Sequence, residues 1–243
     1  MSPSDASLHR RSILRRLEKD CKQHQIRHKW AIFSGPVLIL APLALLLLMP
    51  ASHEFAQWLL DENRPVELLT FAIALWASFK GFKLVQRQHR KHHRFEMLFY
   101  LLFSLFFFFF AMEEISWGQQ LFGFSTPEFW RVRNAQDELT LHNYDFAGAV
   151  YLEAYPFAAG AIGLIGIWAS WMKKLPDTIS LPLVLVSWFA AIALHSGIDL
   201  FHEFHIFSPA FDELINHLDE AAEMLVAIAG CLYVHFKARR LSY

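Results

Sequence analysis

Residues 30–49 form an unbroken run of about 20 residues without a charged side chain. A helix of that length rises about 30 Å, which matches the hydrocarbon core of a bilayer. Further apolar segments follow, and the chain is 55% hydrophobic and 16% aromatic. The sequence therefore predicts an all-α polytopic membrane helix bundle with six transmembrane helices. The predicted spans are residues 30–49, 66–82, 95–115, 154–172, 178–198 and 214–236.

The basic residues are distributed unevenly along this pattern. All but three of the 22 Lys and Arg residues fall in alternate segments, and the exceptions are Arg64, Arg131 and Arg133. Because cytoplasmic loops are enriched in Lys and Arg, both termini are predicted to lie in the cytoplasm, with the chain in the cytoplasmic (inner) membrane. Lipid is the expected partner, and no nucleic-acid partner is expected.

Two segments lie outside the predicted spans. Residues 1–29 are polar and basic and are expected to form a solvated cytoplasmic tail. The spacing of Leu14, Leu17 and Ile26 allows an amphipathic surface helix as a weaker alternative. Residues 116–153 are expected to form a loop at the outer face of the membrane domain, residues 30–240, and to act either as a lid over that face or as a plain connection.

Acidic residues and histidines concentrate at the predicted outer face. The apolar run between Glu223 and Lys237 is roughly 20 Å long, too short to cross a bilayer alone. Glu220 and Glu223 must therefore lie inside the membrane, where an acid is costly unless it is paired, protonated or bound to a metal. They are expected to face the interior of the bundle, either at a functional site or in a structural polar network.

The fifth predicted span carries a pattern typical of metal ligands. His195, Asp199 and His202 are spaced i, i+4, i+7 and share one stripe of a helix. Two imidazoles with a carboxylate suit a divalent metal, with zinc as the first expectation. His217, at the start of the sixth span, is the fourth predicted ligand. The alternative is that these side chains only cap a helix end or contact water.

The third predicted span ends in a polar block. Glu113 aligns with Trp117 and Gln120 at helical spacing, so it is predicted to face inward in preference to Glu114. One of these carboxylates could act as a general base on a metal-bound water. The predicted catalytic residues are Glu113, Glu114, Ser116, Glu220 and Glu223. Further candidates for the same site are Gln119, Glu138, His142 and Asn143.

The stretch AMEEISWGQQLFGFSTPEFW, followed by RNAQDELTLHN, resembles a group of uncharacterised bacterial multi-pass membrane proteins that share an EEISWGQ block. The resemblance covers about residues 112–143 and implies a common site without naming a reaction. Position 120 is Gln here, where many relatives would be expected to have Arg. A more distant similarity, to the alkaline ceramidase and adiponectin-receptor membrane hydrolases, implies a zinc site of His195, Asp199 and His202 beside Ser116. That superfamily has seven spans, however, and its closing HxxxH motif is absent here.

These observations favour a metal-dependent, membrane-embedded hydrolase that acts on a lipid or lipid-linked substrate at the outer leaflet. Two alternatives stay open. The first is a proton- or cation-coupled transporter that uses Glu220 and Glu223, although the inner half of the predicted bundle is almost purely apolar. The second is a non-catalytic membrane subunit whose outer polar patch docks a partner protein.

Overall fold

The computed structural model describes residues 14–61, 64–132, 139–140, 155–202 and 208–241. Every regular element in those residues is a helix. We number the α-helices in chain order, beginning with α1 at residues 14–23. The others are α2 (Lys29–Leu48), α3 (His53–Leu60), α4 (Pro65–Arg90), α5 (Arg94–Glu114), α6 (Gln119–Phe122), α7 (Glu128–Arg131), α8 (Tyr155–Trp171), α9 (Val186–His202), α10 (Pro209–His217) and α11 (Asp219–Arg240). Short 3-10 turns occupy Ser116–Gly118 and Leu183–Leu185.

Among the described residues, four helical stretches are long and apolar enough to cross a membrane. They are α2, α5, α11 and the stretch His53–Arg90, which contains α3 and α4. Two shorter apolar helices, Tyr155–Trp171 and Leu183–Asp199, accompany them. Large side chains such as Val37, Leu38 and Leu102 are exposed on the surface of the bundle, as expected where lipid surrounds the helices. The prediction of an all-helical chain with several helices long and apolar enough to cross a membrane is confirmed for the described residues.

Three predicted spans have different boundaries in the structure. Helix α4 continues past residue 82 to Arg90, because Lys80 and Lys83 lie over the rings of Trp76 and Phe79 and extend along the helix surface. The fifth span becomes helical only after Pro182, which is extended and cannot donate an N–H.

The sixth predicted span is interrupted. Residues 214–217 belong to α10, and α11 begins at Asp219. Leu218 separates the two helices and has φ −91° and ψ 0°. The regular helix is therefore interrupted directly before the acids of α11.

The helices meet at two chemically different ends. At one, the segment between α8 and α9 covers the end of α11: Lys237 is fully buried, and its Nζ donates to the Asp177 carbonyl at 2.8 Å and to Ser180 Oγ at 3.1 Å. We call this the basic end. The opposite end contains Glu67, Glu114 and the start of α11, and we call it the acidic end.

The N-terminal segment is not a solvated tail over its described part. Leu17, Cys21 and Ile26 are buried in the main hydrophobic core. Asp20 Oδ2 accepts a hydrogen bond from the Leu183 backbone N–H at 2.8 Å. Leu17 and Cys21 of α1 thus pack on the basic end of the bundle, whereas Leu14, one of the three residues of the amphipathic pattern, is 38% exposed and Ile26 lies beyond the helix.

Glycines in α8 allow close contacts with the neighbouring helix. A Cβ at Gly160 would lie 2.6 Å from the backbone nitrogen of Ala193 in α9. A Cβ at Gly163 would overlap the Phe189 ring. Helices α8 and α9 thus pack backbone to backbone, which small residues permit.

Candidate acidic site at one end of the bundle

The end of α5 does not continue as a regular helix. The helix ends at Glu114, and Ser116, Trp117 and Gly118 all have positive φ values of 47°, 54° and 88°. Positive φ is unusual for a serine or a tryptophan. The chain therefore turns sharply here, and a stripe extrapolated along an ideal helix to Gln120 has no structural counterpart.

This turn corrects the predicted orientation of two neighbouring acids. Glu114, only 4% exposed, faces the interior. Glu113 is partly exposed, and its Oε1 accepts a hydrogen bond from Trp117 Nε1 at 2.5 Å. The prediction that Glu113 faces inward in preference to Glu114 was wrong, because it assumed helical geometry beyond the point where the helix ends.

Glu114 lies in a group of three carboxylates. One oxygen each from Glu114, Glu220 and Glu223 lies within 4.8 Å of the other two. Glu220 and Glu223 are spaced i, i+3 on α11, which puts both on the side that faces α5. Glu114 Oε2 is buried and has no hydrogen-bond partner among the described residues. The sequence predicted all three of these acids, and the structure brings them together.

Two further groups complete the surroundings of this cluster. The carboxylate of Glu67, in the first turn of α4, is buried and acts electrostatically on Glu114. The hydroxyl of Tyr155 lies against the Glu223 carboxylate, and the Tyr155 ring contacts the ring of Phe110. Sequence reasoning missed Glu67, because an acid just after a proline at a helix start is also the ordinary way to complement the helix dipole.

A histidine–aspartate pair lies at the same end. His195 is 7% exposed, and its Nε2 lies 2.8 Å from Asp219 Oδ1. Asp219 was absent from the predicted metal ligands, although it directly precedes Glu220. The side chain of His202 lies outside the described residues, so the predicted set of His195, Asp199 and His202 stays a prediction.

His217 contacts α3 instead of the acids. Its Nε2 lies 3.0 Å from Gln57 Nε2, and its ring meets that of His53 at 6.4 Å between centroids. A cavity of about 600 Å³ opens beside it. Its lining includes Asp61, Arg64, His217, Asp219 and Glu220. Glu220 thus connects the carboxylate cluster to a polar cavity.

Of the further site candidates Gln119, Glu138, His142 and Asn143, only Gln119 lies within the described residues. Its Nε2 donates to Thr126 Oγ1 at 2.7 Å, and its Oε1 accepts from the Leu139 backbone N–H at 2.8 Å. Gln119 therefore links two later positions of the segment that follows α5, Thr126 and Leu139, to the turn at the end of that helix. Ser116 is fully buried at the turn. Glu138, His142 and Asn143 lie outside the described residues.

The closeness of the three carboxylates determines what this cluster can bind. Two unit charges 4 Å apart repel by about 4 kcal/mol at an effective dielectric constant of 20. Three neighbouring carboxylates therefore need protons or a cation between them. Carboxylate oxygens suit hard cations such as Mg²⁺, Mn²⁺ and Ca²⁺, whereas the prediction of zinc rested on histidine ligands. Within the described part of the chain, this is the one group of three or more His, Cys, Asp or Glu residues placed to hold a metal ion.

Comparisons of the chain with protein-family models, with curated proteins and with solved structures found no match. The resemblance carried by the EEISWGQ block stays an expectation.

Proposed function

We propose that the protein is a six-span membrane enzyme with both termini in the cytoplasm, and that its acidic end binds a divalent cation for the hydrolysis of a lipid or lipid-linked substrate. The observation that carries this proposal is the group formed by Glu114, Glu220 and Glu223, with one oxygen of each within 4.8 Å of the others. A buried carboxylate oxygen that lacks a hydrogen-bond partner among described residues, as in Glu114, is costly unless a proton or a cation meets it.

The cation would be held by Glu114, Glu220 and Glu223, with Glu67 beside them to add negative charge. A divalent ion held there would supply Lewis-acid chemistry, since it would polarise a substrate oxygen and lower the pKa of a bound water. This role needs no histidine ligand, so it does not depend on the predicted set of His195, Asp199 and His202.

The cavity beside Glu220 is the proposed binding site for the substrate. Arg64 is an always-charged donor with a planar fork that suits phosphate and carboxylate groups. It lines the cavity together with His217 and Asn216. A substrate with an anionic group next to an ester would place that group on Arg64 and the ester toward Glu220.

His195 is the proposed proton-transfer residue. Its hydrogen bond to Asp219 fixes the orientation of the imidazole ring, in the way that a carboxylate orients a catalytic histidine. Asp219 lies next to Glu220 in the chain, so the pair belongs to the same end of α11 as the cation site.

The transporter alternative has weaker support. A cation carrier needs a polar route away from the acids, but the core that follows the cluster toward the basic end is aromatic. Phe107 and Phe110 are buried there, and the Phe107 ring fits against Gly230 so closely that a Cβ at Gly230 would overlap it. These rings separate the acids from the polar groups at the basic end within the described core.

Cation binding is tested with the full chain purified in neutral detergent. Thermal stability is measured with Mn²⁺, Mg²⁺, Ca²⁺ or Zn²⁺ and with chelator, for the wild type and for Glu114→Gln. Loss of a direct ligand should cost at least the ~10–100-fold in affinity that loss of an outer-shell partner typically costs, so Mn²⁺ should stabilise the wild type and have little effect on Glu114→Gln. Glu113→Gln is the matched control, since it removes a neighbouring carboxylate that bonds to Trp117, and it should respond like the wild type.

The same preparations are then tested for chelator-sensitive hydrolysis of phospholipids in mixed micelles. Activity that is lost in Glu114→Gln and kept in Glu113→Gln supports the enzyme. Cation binding without hydrolysis would favour the transporter. If no cation stabilises the wild type, the proposed site is rejected, and the docking subunit becomes the better description.

A further inference from the structure

A second cavity lies at the basic end, far along the bundle from the carboxylate cluster. Its volume is about 690 Å³, within the range of small-molecule sites. One wall is α1, with Arg16 and Lys19, and the other is the end of α8 with the segment that follows it, including Lys173. The cavity exists because α1 packs on the bundle instead of extending into solvent.

The walls of this cavity are held in place by the contacts of their acidic residues. Asp177 Oδ2 accepts from Arg240 Nη2 at 2.7 Å, and Asp20 Oδ2 accepts from the Leu183 N–H at 2.8 Å. Both acids that line the cavity are thus engaged in the protein. Their charges are partly satisfied before any ligand arrives.

The basic residues at the rim are not satisfied in this way. Arg16 lies over the ring of Trp171 at 5.6 Å, a contact that leaves its N–H groups able to donate. Lys19 and Lys173 form no ion pair with any described residue. Three cations therefore surround one polar cavity beside an exposed tryptophan.

Lys173 occupies an unusual backbone position at the rim of the cavity. It has φ 54° just after α8 ends, and the following residue, Lys174, donates its N–H to the Ala169 carbonyl at 2.9 Å. Glycine is the usual residue at such a left-handed helix cap. Here the position carries a long cationic side chain at the rim of the cavity.

We infer that this cavity binds a phosphate-bearing anion through Arg16, Lys19 and Lys173. A guanidinium and two ammonium groups match the charge of a phosphate. An aromatic residue beside them is typical of the membrane–water interface, and basic pockets at that level bind lipid head groups. The cavity is larger than a bare phosphate ion, which favours the head group of an anionic phospholipid, but a soluble phosphate offers the same chemistry.

The test uses the full chain in neutral detergent, with thermal stability or binding followed during titration. The three probes are a short-chain phosphatidylglycerol, a phosphatidylcholine of equal chain length and inorganic phosphate. Selective binding of phosphatidylglycerol identifies a lipid as the source of the phosphate, and equally strong binding of inorganic phosphate identifies a soluble anion. Equal binding of phosphatidylcholine would reject the charge-based site.

Two double variants make the assignment specific to this cavity. Lys19→Gln with Lys173→Gln removes two rim charges and should weaken binding about tenfold or more. Lys83→Gln with Lys91→Gln removes the same charge from exposed positions that do not line the cavity, and should change the affinity by less than about twofold. All four side chains are exposed, so folding is expected to be kept. If the two double variants bind alike, the cavity is not the site.

Discussion

Glu113 and Glu114 are neighbours in the chain, but their carboxylates have different surroundings. Glu114 lies with Glu220 and Glu223 inside the bundle, whereas Glu113 accepts a hydrogen bond from Trp117 at the surface of the turn. The pair therefore offers a matched comparison, since one substitution changes the charge of the cluster and the other leaves it intact.

In chelator, Glu114→Gln should be more stable than the wild type, by about 1–3 kcal/mol. The neutral amide removes a like-charge repulsion among three close carboxylates. A thermal melt in detergent measures this difference, which corresponds to a few degrees for a chain of this size. Glu113→Gln should not gain stability, because its carboxylate is held by Trp117. A wild-type protein that is more stable than Glu114→Gln without any cation would show that Glu114 is held by hydrogen bonds instead.

Gly160→Ala should destabilise the bundle by about 1–3 kcal/mol. The added Cβ would lie 2.6 Å from the backbone of Ala193, which cannot move without separating α8 from α9. Gly166→Ala is the control, since its Cβ would meet the flexible end of Leu181 at 3.1 Å. Thermal melts of both variants should differ by several degrees. Equal melting temperatures would mean that the contact between α8 and α9 is looser than the structure indicates.

The titration of His24 should make the folded protein less stable as the pH is lowered from about 6.5 to about 4. Burial first, and the charge of Lys237 second, lower the pKa of His24 to about 4. The unfolded chain therefore binds a proton below pH 6.5 that the folded protein does not accept until about pH 4. The difference is up to about 3 kcal/mol.

The variant His24→Gln keeps hydrogen-bonding groups and cannot be protonated. As the pH is lowered from 6.5 to 4, the melting temperature of the wild type should therefore fall relative to that of the variant. The pKa of the neighbouring Asp20 is raised by burial, which acts with the opposite sign, and Asp177 and Arg240 also act on His24. The comparison with His24→Gln separates the histidine from these groups. Parallel pH profiles would contradict the assignment.

The proposed topology is tested with reporter fusions. A reporter that is active only outside the cytoplasm should be active after Glu62, Asp145 or Ser208 and inactive after Gln88, Lys174 or Tyr243. The physical reason is the concentration of Lys and Arg at the basic end. An active fusion after Gln88 would rule out the six-span topology. It would also contradict the placement of the carboxylate cluster at the outer face and of the basic cavity at the cytoplasmic face.

The sequence by itself determined that the chain forms helices long and apolar enough to cross a membrane, because long apolar runs are local properties of the sequence. It also predicted that Glu220 and Glu223 face inward, since the apolar run before Lys237 is too short to span the bilayer without them. Gly160 and Gly163 are three residues apart, so helical spacing alone puts these small residues on one face, where another helix can approach closely.

Only the tertiary structure decided which groups meet. It placed Glu114 inside and Glu113 at the surface, because the helix ends at Glu114 whereas the predicted helical stripe runs on to Gln120. It added Glu67 from α4 and paired His195 with Asp219, contacts between helices that no spacing along one helix encodes. It also packed α1 on the basic end, since the burial of Leu17, Cys21 and Ile26 requires a surface that only the assembled helices provide.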